Sequence, residues 1–442
     1  MNPRDNSGDT PDQTDPAART LAAVLGSTPN YDADALPVAA AQKIIAEFIT
    51  PIHAIEKVAL RSALGRVLAA PVISPIDVPA YDNSAMDGYA LRSADLNDAA
   101  VTLQVIGTAW AGRAYIGSVG AGQCVRIMTG AMMPPECDTV IAQEFTHDAS
   151  AMQMTVPAGA IRCGDNRRLR GEDLARGGIA LDVGRILRPA DLGLLASLGV
   201  AEVAVQRRLR VAFFSTGDEL RSVGEVLDPG CVYDSNRYTL HGMLLRLGCD
   251  LLDMGVVKDD PASLEAALRS ACENADAIIT SGGVSVGAAD HTRQVMAQLG
   301  EVSFWKIGMR PGRPMAFGQI HSGGRSAYLF GLPGNPVAVM VTFYFFARQA
   351  LLHMMGAEAT APPLMQVSAQ HAIRKKPGRT EYQRGIVSTD ASGRQSVRVT
   401  GAQGSGILRS MVEANCMIVL HDAQGAVNAG DMIDIILFDG LT

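Results

Sequence analysis

AIITSGGVSVGAADHTRQVMAQLG, residues 277–300, runs from an apolar stretch through Gly282, Gly283 and Gly287 into a helix-spaced segment closed by Gly300. A short apolar run ahead of glycines predicts a buried strand, here 276–280. Asp290 can cap the helix that follows. Strand, glycine loop and helix in that order make half of a βαβ unit.

The same rhythm extends to both sides. Residues 209–215 predict a strand. Ser235 or Asn236 can cap a helix reaching Leu247, with Gly248 as its stop. A second strand is expected at 251–257. Asp260 then caps a helix whose first residue is Pro261, where the missing N–H costs nothing. Further strands are expected near 302–307, 315–320 and 327–330, and Asn335-Pro336 opens a long apolar helix. Alternating strands and helices predict a parallel sheet covered on both faces. Ligands of such sheets sit outside the carboxyl ends of the strands. The loops at 215–220, 257–261, 281–290, 306–314 and 331–336 should therefore face one crevice.

Composition fits an ordinary soluble chain of several domains. The 442 residues suggest about two to four of them. A net charge of -7 argues against a nucleic-acid binder. Seven scattered cysteines with no C-x-x-C pair fit a reduced, cytoplasmic setting. The first 36 residues are polar and acidic, without the apolar stretch of a signal peptide, and are expected to form a flexible tail. Residues 337–355 are apolar enough to raise the question of a membrane span, but Arg348, Gln349 and His353 interrupt them, so a buried helix and no membrane contact are expected.

Four domains are expected: the tail at 1–36, segmented linker and β-rich subdomains at 37–207, the α/β domain at 208–357, and a compact C-terminal β domain at 358–442. Short apolar runs broken by glycine and proline mark the β regions.

The chemistry-bearing residues cluster in the loops. Ser281, Gly282, Gly283, Ser285 and Gly287 can bring backbone N–H groups close to a phosphate. They can equally form an ordinary strand-to-helix turn. Lys306, Arg310 and Arg313 surround a Pro-Gly turn and suit oxyanions. Glu219, Asp259 and Asp290 are hard oxygen donors that could share a magnesium ion with a phosphate. Elsewhere DNSAMDGYALR (82–92) gathers Ser84, Asp87 and Tyr89, and GDNRRLRGED (164–173) mixes arginines with acids. RKKPGRTEYQRG (374–385) is a basic turn that either touches an anionic ligand or is solvated. There is no G-x-S-x-G or H-E-x-x-H, so metal, charge and positioning are expected to carry the chemistry.

DNSAMDGYA, IMTGA (127–131), N-x-R-x-x-G-E-D (166–173), STGDEL, SGGVSVGxxD, W-K-x-x-x-x-P-G-x-P (305–314) and GLPGNPVA follow one another in this order. Together they resemble the molybdopterin molybdenumtransferase family, which includes bacterial MoeA proteins and the E domain of gephyrin. The resemblance runs from about residue 37 to the C-terminus. It implies conversion of adenylylated molybdopterin and molybdate into molybdenum cofactor and AMP, with a divalent cation, usually magnesium. It implies a homodimer of four-subdomain chains with a C-terminal β-barrel and an active cleft between subunits. It also implies passing contact with the molybdopterin adenylyltransferase.

By resemblance, Asp87, Thr129, Arg168, Asp173, Glu219, Asp290 and Lys306 are catalytic. Pro333, Pro336, Arg379 and Ser405 join the glycine loop, Arg310 and Arg313 in holding substrate, and Asp259 joins Glu219 and Asp290 around the metal. The chain departs from the family pattern at Ala288 and His291, where many members have Glu and Tyr, and at Arg310 and Arg313, where lysines are common. Two other readings compete. Related α/β proteins that adenylylate molybdopterin or deamidate nucleotides lack the DNSAMDGYA region, and a gephyrin-type scaffold would bind molybdopterin without turnover.

Overall fold

A computed structural model describes residues 20–284, 289–358 and 361–441, without the side chains of 289, 290 and 440. The chain divides into two compact units. One holds the described residues up to Glu56, Gly65–Val67 and those from Gln206 onward; the other holds Lys57–Leu64 and Leu68–Val205.

The first unit is built on a six-stranded sheet. Its strands are β1 (Arg210–Thr216), β2 (Asp250–Val257), β3 (Ala277–Ser281), β4 (Gly300–Lys306), β5 (Pro314–Ser322) and β6 (Arg325–Leu332). They lie in the order β2-β1-β3-β6-β5-β4. Helices α1 (Ser235–Arg246), α2 (Pro261–Asn274), α3 (Ala289–Leu299) and α4 (Pro336–Met354) connect or follow them. The central strands read as unbroken apolar runs because both faces are covered. Ala212, Phe214 and Ile278 pack against Leu264, Leu268 and Ala271 of α2 and Val295 and Met296 of α3.

The expectation of a wholly parallel sheet is corrected at β5, which runs antiparallel to both neighbours. The cause is local. Ser322 pairs with Arg325 across Gly323-Gly324, both at positive φ. Two left-handed residues form the tight turn that joins antiparallel strands, whereas a parallel return needs a crossover of a dozen residues or more.

Helix α4 begins at Asn335-Pro336 as expected. It is long and apolar enough to cross a membrane by length and composition, but 78% of its most apolar window is buried inside the chain. A π-helical turn interrupts it at Phe343–Ala347, and the Gln42 side chain donates to the Phe345 carbonyl there at 3.0 Å.

Residues 20–36 are not a free tail. Leu21–Ser27 is a helix capped by Thr20, with Leu21 and Val24 buried. The Tyr31 hydroxyl lies 3.0 Å from Ser303 Oγ and accepts from Trp305 Nε1 at 3.1 Å. Leu36 bridges Ile307 in parallel. This segment covers the β4 side of the sheet, whose exposed backbone would otherwise invite pairing with another chain.

Five strands close a C-terminal barrel: β7 (Met365–Ala369), β8 (Thr380–Thr389), β9 (Gln395–Val399), β10 (Cys416–Leu420) and β11 (Met432–Leu437). They form the ring β8-β9-β7-β11-β10, which returns to β8. Gly385 stands where a Cβ would meet Ile418 at 2.8 Å and Cys416 at 2.9 Å, so closure leaves no room for a side chain. A further pair, Met309–Arg310, runs parallel to the start of β8.

The second unit contains a five-stranded sheet in the order Thr139–Ala142, Gly88–Leu91, Gln123–Ile127, Val101–Ala109, Gln153–Val156. Its two faces bury separate apolar clusters, one around Val125 and Val140, the other around Leu103 and Ile141. Helix Pro189–Ser197, with proline at its first position, packs into a third cluster with Leu68, Leu187 and Val205.

Candidate functional site

In the sheet of the first unit, β1 leads to β2 on one side and neighbours β3 on the other. The connections diverge there, and a crevice opens at the carboxyl ends. Thr216 closes β1, and Ser281-Gly282-Gly283 closes β3. A Cβ on Gly282 would lie 2.4 Å from the Thr216 carbonyl, and one on Gly283 would lie 3.0 Å from the Thr216 hydroxyl. Both glycines have positive φ, 94° and 69°. The loop can thus leave the strand end tightly with no side chain between its backbone and a ligand. The Gly282 N–H is already committed to the Leu332 carbonyl at 3.1 Å.

The first turn of α1 ties three strand ends together. Asp234, and not Ser235 or Asn236, is the N-cap: its Oδ1 accepts from Arg237 N at 3.2 Å and from the Ser215 hydroxyl at 3.0 Å. Asn236 is then free to point into the sheet edge. Its Nδ2 donates to Ser281 Oγ at 2.8 Å and to the Gly334 carbonyl at 2.7 Å. Asp234 therefore fixes the end of β1, and Asn236 joins the end of β3 to the turn after β6. Both are buried. Glu219, Asp234, Asn236, Gly334, Asn335 and Pro336 line a cleft of about 430 Å³, with Tyr233 at its side.

The expected residues fall around this edge as follows. Glu219 is exposed on the cleft wall, where its carboxylate sits against the bare Cα of Gly217. Asp259 is exposed beyond β2, and Asp260 caps α2 through Ser263 N at 2.9 Å. Helix α3 already includes Ala289, so Asp290 lies in its first turn and is not the cap; its side chain, like Ser285, Gly287 and Ala288, lies outside the described residues. Pro333 is buried, and Pro336 opens α4. Ser405, on a barrel loop, accepts from Val337 N at 3.0 Å through its carbonyl. Arg310 and Arg313 are exposed on the β4–β5 connection, and Arg379 pairs with Glu381 at 3.2 Å.

Lys306 holds an unexpected partner: its Nζ lies 2.6 Å from Asp34. The Asp34 carboxyl is held below its usual range first by that hydrogen bond and charge, with Arg293 and Arg313 adding to it.

The second unit assembles its own constellation. Asp87 Oδ1 accepts from both the backbone N–H and the hydroxyl of Thr129, each at 2.7 Å. These bonds hold its carboxyl below the usual range. Gly88 follows because the paired strand leaves no space: a Cβ would lie 1.9 Å from the Ile141 carbonyl. Asn83-Ser84 pairs with Arg167-Arg168, so the two motifs meet in one ladder. Arg168 and Asp173 are exposed beside it. Asp82 and Asp77, absent from the expected set, hold this loop. Asp82 pairs with Arg167 and accepts from Arg170 N at 2.7 Å, and Asp77 accepts from Arg176 N at 2.8 Å. Their spacing from the arginines, more than 80 residues, carries no local signal.

Among the described residues no three His, Cys, Asp or Glu side chains gather into a metal site. Magnesium does not need such a cluster. It keeps several waters and takes one or two carboxylates with substrate phosphates. Glu219, open on the cleft wall, fits that demand.

Comparison with known proteins agrees along the chain. Residues 36–199 match the MoeA N-terminal region (domain I and II), 212–353 a probable molybdopterin binding domain, and 366–438 the MoeA C-terminal region (domain IV). The chain is 42% identical over 386 residues to a molybdopterin molybdenumtransferase of Haemophilus influenzae, covering 86% of this chain and 93% of that protein. It is 35% identical over 383 residues to one of Nostoc, covering 85% and 87%. The structure resembles the molybdopterin biosynthesis moeA protein of Pyrococcus horikoshii with a TM-score of 0.78 at 28% identity, across 91% of this chain and 100% of that one. With three regional matches in order and relatives of this identity over most of its length, the chain belongs to the molybdopterin molybdenumtransferase family.

Proposed function

We propose that the protein inserts molybdenum from molybdate into adenylylated molybdopterin and releases AMP. The observation that carries this reading is the polar cleft at the carboxyl edge of the sheet, walled by Glu219 and by the turn at Gly334-Asn335-Pro336, which Asn236 ties to the end of β3 at Ser281. Its tight glycine turn gives a phosphate access to backbone, and Arg310, Arg313 and Lys306 on the same edge offer charge to the oxyanions of molybdate and of the phosphoanhydride.

Glu219 would hold magnesium, with Asp259 and Asp290 as further candidate ligands. The bound ion would neutralise phosphate charge as AMP leaves. Asn236 and Asp234 keep the walls in register, so substrate binding need not order them. Arg379 and Ser405 extend the binding surface from the barrel.

The reading includes a homodimer in which Asp87, Thr129, Arg168 and Asp173 of one subunit complete the cleft of the other, a cytoplasmic setting, and transient contact with the adenylyltransferase that makes the substrate. A non-catalytic scaffold is not favoured, because the relatives are named as transferases. Purified protein incubated with adenylylated molybdopterin, magnesium and molybdate should release AMP, and no release would end the proposal. Shared sites have their own test. Asp87→Ala and Asp290→Ala proteins, each inactive, should regain about a quarter of wild-type activity when subunits exchange at equal mixing, since half the dimers then carry one intact site. No recovery after verified exchange would refute the shared cleft.

A further inference from the structure

Residues 20–35 lie ahead of the stretch matched to the MoeA N-terminal region, which begins at residue 36. They run along β4 and meet it at alternate residues, which share one side of a strand. Leu21 N donates to Glu301 Oε2 at 2.7 Å, and the Tyr31 hydroxyl engages both Ser303 and Trp305. At the end of the strand the main chain takes over. Lys306 N donates to the Ala33 carbonyl at 2.7 Å, Leu36 N to the Lys306 carbonyl at 3.2 Å, and Gly308 N to the Leu36 carbonyl at 2.8 Å. Asp34 stands between these anchors. Its N–H donates to Asp32 Oδ1 at 2.9 Å, and its carboxylate meets Lys306 Nζ at 2.6 Å.

That carboxylate is an anion seated among cations. Besides Lys306, the charges of Arg293 and Arg313 act on it. Lys306 and Arg313 are the groups assigned above to substrate oxyanions. The contact is also open to water, with the Asp34 side chain 75% exposed. An exposed ion pair is weak, so an arriving anion can displace it. The main-chain anchors on either side hold the carboxylate at high effective concentration, so it returns when the anion leaves.

We propose that Asp34 is an internal competitor for the oxyanion position at Lys306: the anchored segment keeps a carboxylate on the lysine, and a tetrahedral oxyanion must displace it to bind. This rests on the assignment of Lys306 to substrate oxyanions. The apparent affinity of the anion is then reduced by the fraction of time the lysine is open, so a fivefold effect corresponds to a contact closed about four-fifths of the time. A pair that only fastened the segment to the sheet would lower the melting temperature when broken and leave anion affinity alone.

Inorganic phosphate is titrated calorimetrically at low ionic strength into the full-length wild type, Asp34→Asn, Lys306→Met and the double variant, with melting temperatures read on the same preparations. Asp34→Asn should bind phosphate about two- to fivefold more tightly than wild type, the range an exposed ion pair allows. Lys306→Met should bind more weakly than wild type. In that background Asp34→Asn should change affinity by less than about 1.5-fold, because the contact it breaks is already gone. An Asp34→Asn protein with wild-type phosphate affinity, whatever its melting temperature, overturns the competition while Lys306→Met still shows weakened binding. An equal gain in both backgrounds overturns it too, since the effect is then general charge and not the contact with Lys306. If wild type and Lys306→Met bind phosphate alike, or neither binds it, the assignment of Lys306 in the functional reading fails and the competition falls with it.

Discussion

Replacing Asn236 by alanine removes two hydrogen bonds that join separate strand ends, at 2.8 Å to Ser281 and 2.7 Å to Gly334. The two acceptors do not lose equally. The Ser281 hydroxyl can rotate toward another partner, whereas the Gly334 carbonyl is fixed by the turn. A buried polar group left without its partner costs about 1–3 kcal/mol, so the pair should cost about 2–4 kcal/mol in all. For a unit of this size that lowers the melting temperature by about 4–12 °C. The functional loss should exceed what stability explains, because displacing a site loop by about 1 Å can cost on the order of 10²-fold in rate. Calorimetric unfolding and steady-state AMP release, read on the same preparation, separate the two. Asn274→Ala serves as the control: that side chain makes an exposed hydrogen bond at the end of α2, to the Ser270 carbonyl at 2.8 Å, and should change neither. An Asn236→Ala protein that melts within about 1 °C of wild type would refute the assignment of Asn236 as the tie between β3 and the turn after β6.

Thr129→Val removes the hydroxyl donor from Asp87 and should raise the Asp87 pKa toward the ordinary carboxylate value, as read by carbon-detected NMR titration. Because the depressed pKa contributes stability above the unfolded value and loses it as pH falls through the folded value, the variant should begin to lose that contribution at higher pH than wild type; an unmoved titration would count against the bond. Gly282→Ala places a Cβ 2.4 Å from the Thr216 carbonyl at φ 94° and should destabilise by at least about 1–3 kcal/mol. Gly193→Ala, in a helix with open space around it, should stabilise by about 0.5–1 kcal/mol, and thermal melts that rank these two variants the other way would contradict the packing described. Asp34→Asn frees Lys306 and should lower KM for the anionic substrate by up to about fivefold at low salt, an effect that fades as ionic strength rises; a raised KM would show that Asp34 assists binding.

The strands and helices of the α/β layer were legible because glycine and proline punctuate them: Pro261 and Pro336 open helices where expected, and Gly248 closes one. The direction of β5 was less so, since it depends on two glycines adopting left-handed φ, which their names permit but do not require. Polar composition hid the packing of residues 20–36. What anchors that stretch is a few contacts, of Leu21 with Glu301 and of Tyr31 with Ser303 and Trp305, on a strand some 270 residues away. The glycine loop and the charged loops drew attention by residue type alone, although the glycines fit an ordinary strand-to-helix turn equally well. Asn236 did not, because beside Asp234 and Ser235 it looked like one more capping residue; only the Asp234 side-chain contacts decide which residue caps and which turns inward. Barrel closure followed from family resemblance, and the full burial of Arg384 stayed hidden inside a basic turn expected either to touch an anionic ligand or to be solvated.

The short parallel pairing of Met309–Arg310 with Thr380–Glu381 bears on how the protein can be dissected. A shortened chain ending at Gly356 would retain every strand of the mixed sheet, yet Met309-Arg310 would lose the neighbours that occupy its backbone, and Val337 would lose the Ser405 carbonyl. The sheet and the barrel share stitches, so they are better regarded as one garment than as interchangeable modules. Swapping in the barrel of a relative would have to preserve residues 380–381 and the loop around 405 as a matched set, or the edge that carries Arg310 and the mouth of α4 would both come loose.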